Sequence, residues 1–226
     1  KFRKTKFKGV YYMKKVVFVI LIIVMVFSII GCTSSNSVTS TNPPDLEQGT
    51  PDTKPDATTP PVDSSSANLI KFNGTSIEAG DGVIVNGNVA TVTTAGTYQV
   101  SGKLNDGQLC VDADNCDVYI IFDNAEIHCS NSAPFFVKKA NHVYLTLAEG
   151  SVNTLTDGSN YALEAGITEP DATLFSKADM TISGTGNLNV TSNYNDGIAN
   201  RDTLVIESGN INVDAVNHGI KGKDFL

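Results

Sequence analysis

Tryptophan is absent, and the 226 residues include only 3 His and 4 Cys. His128, His142 and His218 are scattered, and no Cys-x-x-Cys occurs. A zinc site of ordinary ligand spacing is thereby excluded. Basic residues are scarce beyond the start of the chain. Seven of the 16 Lys/Arg lie within the first 31 positions, where there is no acid; the remainder keeps nine against 24 Asp/Glu, a net of −15. So acidic a body repels nucleic acid and anionic lipid, and it suits divalent cations. Also missing is any apolar segment of useful length with a 3.6-residue period, so a helical domain is excluded.

The one long apolar run is Val16–Gly31, behind the basic start Met13-Lys14-Lys15. At about 16 residues it is shorter than the roughly 20 that cross a bilayer as a helix. It reads as a signal peptide, with residues 1–12 as upstream sequence. Its end, Ser28-Ile29-Ile30-Gly31-Cys32 followed by Thr33-Ser34-Ser35, resembles a bacterial lipobox. That resemblance implies a diacylglycerol thioether on Cys32, which becomes the first residue after cleavage. The expected location is extracytoplasmic, anchored to the membrane by lipid at the cell surface. Residues 32–67 are Ser, Thr, Pro, Asn and Asp with almost nothing large and apolar. Such a stretch buries too little surface to offset its ordering entropy and is expected to be a disordered tether.

From Asn68 to Leu226 short β-rich runs alternate with Gly, Asn and Asp; Val118–Phe122, Val143–Leu147 and Leu204–Ile206 are examples. The body is therefore all-β. A repeat selects the architecture. Asn195-Asp196-Gly197-Ile198 recurs as Asn217-His218-Gly219-Ile220, 22 residues on, and Gly186–Val190 recurs as Gly209–Val213, 23 residues on. Val118 and Val143 open similar strands 25 apart. A period of 22–25 residues with three short strands is one coil of a right-handed parallel β-helix, in which equivalent residues stack and each coil supplies the core of the next. Residues 68–105 are less periodic and are expected to cap the open edge. The pattern stops in mid-coil at Leu226, so further coils are expected beyond it.

The segments Thr94–Gly102, Asp106–Ala113, Val118–Ile127 and Ala148–Asp157, followed by the Asp-Gly-Ile coils, resemble the clostridial-type carbohydrate-binding β-helix family. That family is similar in fold to pectate lyases. The resemblance spans roughly residues 69–226. It implies non-catalytic binding of acidic plant polysaccharide such as polygalacturonate, and of cellulose, with calcium held by the helix.

Calcium takes six to eight hard oxygens, which stacked turns can offer. The candidates are Asn195, Asp196, Asp202, Asn217 and Asp224, with Asp157 and Asp171 nearby in sequence; the competing reading is that Asn and Asp merely favour turns. His218, standing where the previous coil has Asp196, weakens a shared site. A cation would also reconcile the acidic body with an anionic ligand. Sugars stack on aromatic rings, and Tyr194, beside a turn, is the first carbohydrate-binding candidate. A lyase needs a base, and Arg201 sits in the repeated turn, where pairing with Asp202 is expected. Two further classes remain: a surface adhesin without a sugar ligand, and a calcium-dependent polysaccharide lyase. Cys110, Cys116 and Cys129 read as small buried hydrophobes, with a Cys110–Cys116 bridge as the alternative.

Overall fold

The structure is a computed structural model that describes residues 66–223. Cys32, Asp224, the signal sequence and nearly all of the tether lie outside the described residues.

At the N-terminal edge are β1 (Asn68–Gly74), β2 (Ser76–Ala79), β3 (Val83–Asn86) and β4 (Val89–Val92). Then the chain winds. β5 (Gly96–Leu104) and β6 (Gln108–Asp112) form one coil; β7 (Asp117–Cys129) and β8 (Phe135–Lys139) form the second. The third is β9 (His142–Leu147), β10 (Val152–Asp157) and β11 (Ala172–Ser176). The fourth is β12 (Asp179–Gly184), β13 (Asn187–Ser192) and β14 (Asp196–Asn200); the fifth is β15 (Leu204–Ile206), β16 (Asn210–Ala215) and β17 (Ile220–Lys221).

Pairing between successive coils is parallel throughout, and it makes three columns. The first is β5-β7-β9-β12-β15; the second begins in the later halves of β5 and β7 and continues through β10, β13 and β16. The third is β4-β6-β8-β11-β14-β17. Because β5 and β7 run through two columns, hydrogen bonding joins everything into two sheets. The arrangement is all-β and consistent with a parallel β-helix. Antiparallel β2 and β3 lie against β1 and β4 at the N-terminal edge, where they occupy strand edges that would otherwise invite pairing.

The laddering read from the repeat is present: Ile198 pairs with Ile220, Asn187–Ser192 with Asn210–Ala215, and Val118 with Val143. One coil departs from the 22–25 period. Phe135 pairs with Leu174, 39 residues on, because residues 158–171 leave β10 and return only at β11.

Side chains alternate along each strand, and the inward ones stack coil on coil. Leu109, Phe135, Leu174 and Ile198 form one such ladder, each fully buried. Leu155 and Val190 face them from the second column. Burying side chains of this size contributes about 1.5–3 kcal/mol each, and no coil gains it alone. Gly197 serves the same packing: a Cβ there would collide with the Val213 side chain and crowd the Gly219 carbonyl. This explains the glycine that follows Asp196 in the repeat. Cys110 and Cys129 are buried free thiols, so the Cys110–Cys116 bridge is not made.

The bend between the first and second columns needs a polar repair. In β7 it falls at Asn124, whose φ is 58°. In the next coil the chain breaks into β9 and β10 instead. The mismatch leaves backbone groups that the fully buried Asn153 satisfies: its Oδ1 accepts from Ala125 N at 2.9 Å, and its Nδ2 donates to Ser151 Oγ and to the Asn187 carbonyl. Asn153→Ala orphans these groups and is expected to cost about 2–4 kcal/mol, measured as a loss of unfolding free energy in urea. A loss below about 0.5 kcal/mol would contradict this role.

Candidate functional site

Residues 158–171 fold over the outward side of the third column. There Phe136 and Phe175 are adjacent ladder residues with rings edge to face, centroids 5.7 Å apart. With Ala133, Ala172 and Ala199 they form a second, smaller apolar cluster, and Tyr161 from the loop packs against it. The Arg201 guanidinium lies over Phe175, 5.3 Å from the ring centre, in cation–π range.

Tyr161 carries a second ring on its face. Tyr194, from the turn between β13 and β14, stacks on it with centroids 4.1 Å apart and planes 12° from parallel. The Tyr161 hydroxyl donates to Asp157 Oδ2 at 2.7 Å. Burial, together with that carboxylate, pushes the phenol pKa up, so it remains a proton donor. Asp157, itself buried, also accepts from Ser192 Oγ and from the Asn193 backbone N–H. The rigid Tyr161 thus supports Tyr194, which stays partly exposed.

An ionic network holds the far end of the loop. Arg201 Nε donates to Glu169 Oε1 at 2.6 Å, its Nη2 to Asp171 Oδ2 at 2.8 Å, and Lys177 reaches Glu169 Oε2 at 3.0 Å. The expected partner of Arg201, Asp202, is not used. The inserted loop, invisible in the repeat, brings two carboxylates nearer, and its position explains the change. Burial alone would raise the Glu169 pKa, but hydrogen bonds from Lys177 and Arg201 hold it below the usual carboxylate range. Those carboxylates likewise raise the Arg201 pKa against the effect of its burial.

The five residues read as calcium ligands divide. Asn195, Asp196 and Asn217 meet at one turn: Asn217 Nδ2 donates to Asp196 Oδ1 at 2.9 Å, and Asn195 Nδ2 donates to the Asp171 carbonyl. Asp202 lies past the opposite end of β14, beside Asn200, and Asp224 lies outside the described residues. The Asp196 carboxylate is fully buried and already taken. Its Oδ1 also accepts from His218 N and approaches His218 Nδ1 at 2.9 Å, and its Oδ2 accepts from Lys221 Nζ at 3.2 Å. Burial opposes its charge, yet these donors hold its pKa low. A carboxylate so saturated does not fit a calcium cage. The one orphan acceptor here is Asp171 Oδ1, buried without a hydrogen-bond partner. Among the described residues no three His, Cys, Asp or Glu side chains converge as metal ligands.

Aromatics not singled out in the sequence also face outward. Tyr119 and Tyr144 pair in the first column and stack at 4.8 Å; His142 stacks on Tyr144 at 4.1 Å and shares a hydrogen bond with Thr181. Strand alternation within Val118–Phe122 and Val143–Leu147 is the signal that finds them.

Both Glu169 and Asp196 have depressed folded-state pKa values. Their contribution to stability is therefore complete above about pH 4, the unfolded value, and is lost as pH falls through the lower folded values. The thermal midpoint is expected to drop on acidification below about pH 4, and to drop less steeply in Glu169→Gln. An identical pH profile for the variant would remove Glu169 from the network.

Residues 86–226 match the family described as carbohydrate-binding domain-containing protein. A protein of that description from Acetivibrio thermocellus is 39% identical over 137 residues, 60% of this chain and 48% of the relative. The chain thus spans about half the length of the curated relative it matches. A solved structure described as the polysaccharide lyase-like protein from C. thermocellum, a gadolinium derivative, superimposes with a TM-score of 0.62 at 36% identity, over 64% of this chain and 60% of that one. With a family match over more than half its length and this structural likeness, the chain belongs to the carbohydrate-binding domain-containing proteins, on a lyase-like all-β fold.

Proposed function

We propose that this protein is a cell-surface lipoprotein that holds acidic polysaccharide, polygalacturonate in particular, on a right-handed β-helix without cleaving it. The observation that carries the reading is the Tyr161–Tyr194 pair, in which the partly exposed Tyr194 ring is backed by the partly buried Tyr161, itself packed against the Phe136–Phe175 cluster. A ring fixed in this way presents an apolar face to a sugar at little entropic cost.

Acidic polymer and acidic protein need a mediator. Calcium serves by lying between sugar carboxylates and surface carboxylates, rather than in a cage built on Asp196. Cleavage by β-elimination would need an unengaged base. Arg201 and Lys177 are paired with the partly exposed Glu169 and Lys221 with the buried Asp196, and the bonds to Arg201 raise its pKa, the wrong direction for a base. The lipid anchor at Cys32 rests on the lipobox pattern.

Two outcomes are expected. Polygalacturonate beads retain the protein with calcium and release it with chelator; retention unaffected by chelator would remove the calcium bridge, and no retention at all would favour an adhesin without a sugar ligand. Incubation with pectate gives no rise in the ultraviolet absorbance of unsaturated uronate, whereas a steady rise would establish a lyase.

A further inference from the structure

At the N-terminal edge the third column is extended by β3, whose outer side meets no further strand among the described residues. β3 shields the edge of β4 but leaves one of its own. Natural edge strands are blunted by charge, proline or a bulge. The other outer strand of the cap, β2, follows that rule, since its four residues include Glu78. β3 does not: it is Val83-Ile84-Val85-Asn86, in regular register with β4. Ile84 is 61% exposed and Val85 40%. All but the last of these residues precede the segment matched to the family, so that kinship does not account for the edge.

The hairpin sets the direction of the free backbone groups. Thr93 N donates to the Gly82 carbonyl at 2.9 Å, and the register continues with Val83 opposite Val92 and Ile84 opposite Thr91. Hydrogen-bonded and non-hydrogen-bonded pairs alternate along an antiparallel ladder. Gly82, Ile84 and Asn86 therefore bond to the β4 side, and the N–H and C=O of Val83 and Val85 point away from it. Among the described residues no other strand takes them up.

We infer that β3 is a self-association edge, at which two copies of this chain pair antiparallel about a two-fold axis through Ile84. In that register the free groups of Val83 in one copy meet those of Val85 in the other, and the reverse, so the edge is its own complement. Ile84 packs on its counterpart, as closely spaced side chains do in a non-hydrogen-bonded pair. Asp81, the nearest charge in sequence, falls opposite Gly87, so no like charges meet. β2 has no such option, because its two-fold would set Glu78 beside its own counterpart. A strand pair this short buries less than the roughly 1,200 Å² of a standard interface, so the dimer is weak and reversible. Its consequence is bivalence: two β-helices joined cap to cap present any ligand surface twice to one polymer. Self-association itself does not depend on the carbohydrate reading.

The test is sedimentation equilibrium of the full chain, without any glycan, from about 1 µM to about 1 mM. The parent is expected to show a reversible monomer–dimer equilibrium. Val85→Pro removes an outward N–H that β4 does not use, on an edge where proline is tolerated, and is expected to raise the dimer Kd about ten-fold while leaving the thermal midpoint of the dilute monomer nearly unchanged. Ile84→Lys, which sets like charges face to face, is expected to weaken the dimer as much. Ile84→Cys is expected to yield, on mild oxidation, a dimer whose cross-link maps to residue 84 in both copies. A parent that stays monomeric throughout would overturn the inference, as would a dimer that Ile84→Lys leaves as tight as before.

Discussion

Parallel pairing of each strand with its counterpart in the next coil is the interaction on which everything else rests. A single coil buries almost nothing by itself; its inner face becomes core only when another coil stacks on it. That requirement fixes the inward residue at every register position, as in the Leu109–Phe135–Leu174–Ile198 ladder. It also fixes the outward residues into straight rows, because alternate side chains cannot leave register without turning core residues to solvent. The rows of Thr, Asn and Tyr on the outside follow from the rows of Leu, Ile and Val within.

The inserted loop shows how an irregular segment is attached to so regular a scaffold. Apolar contact holds one end, through Tyr161 on Phe136 and Phe175, and charge holds the other, through Glu169 and Asp171 on Arg201. Cations and carboxylates that could have met a ligand are consumed in fastening it. Tyr194 stays partly exposed at that edge. That edge thus offers a stacked ring, beside Arg201, Glu169 and Asp171 paired with one another.

Much of this was legible in the residues. The 22-residue echo of Asp196-Gly197-Ile198 revealed the stacking of Ile198 on Ile220, since core ladders demand repetition. The place of Tyr194 beside a turn was legible too, though not its stacking on Tyr161. Other features left no periodic trace. The loop of residues 158–171 interrupts the period, and with it went the partners of Arg201. The crowding of donors around Asp196 comes from His218 and Lys221 in the following coil, and a turn-rich sequence does not distinguish a carboxylate that awaits a cation from one already satisfied. Asn153 and Asn189 look alike in sequence, yet one repairs a buried bend and the other faces solvent.

The register itself is the most direct target. Asn189→Cys combined with Asn212→Cys places two thiols on paired outward positions, within the roughly 7 Å Cα separation that a disulfide tolerates. Asn189→Cys with Asp214→Cys displaces one of them along the strand by two residues, beyond easy reach. On mild oxidation the account predicts, by peptide mass mapping, a 189–212 cross-link in the first variant and little or none in the second. Equal cross-linking in both, or none in a folded first variant, would contradict the coil-on-coil register and the surfaces built on it.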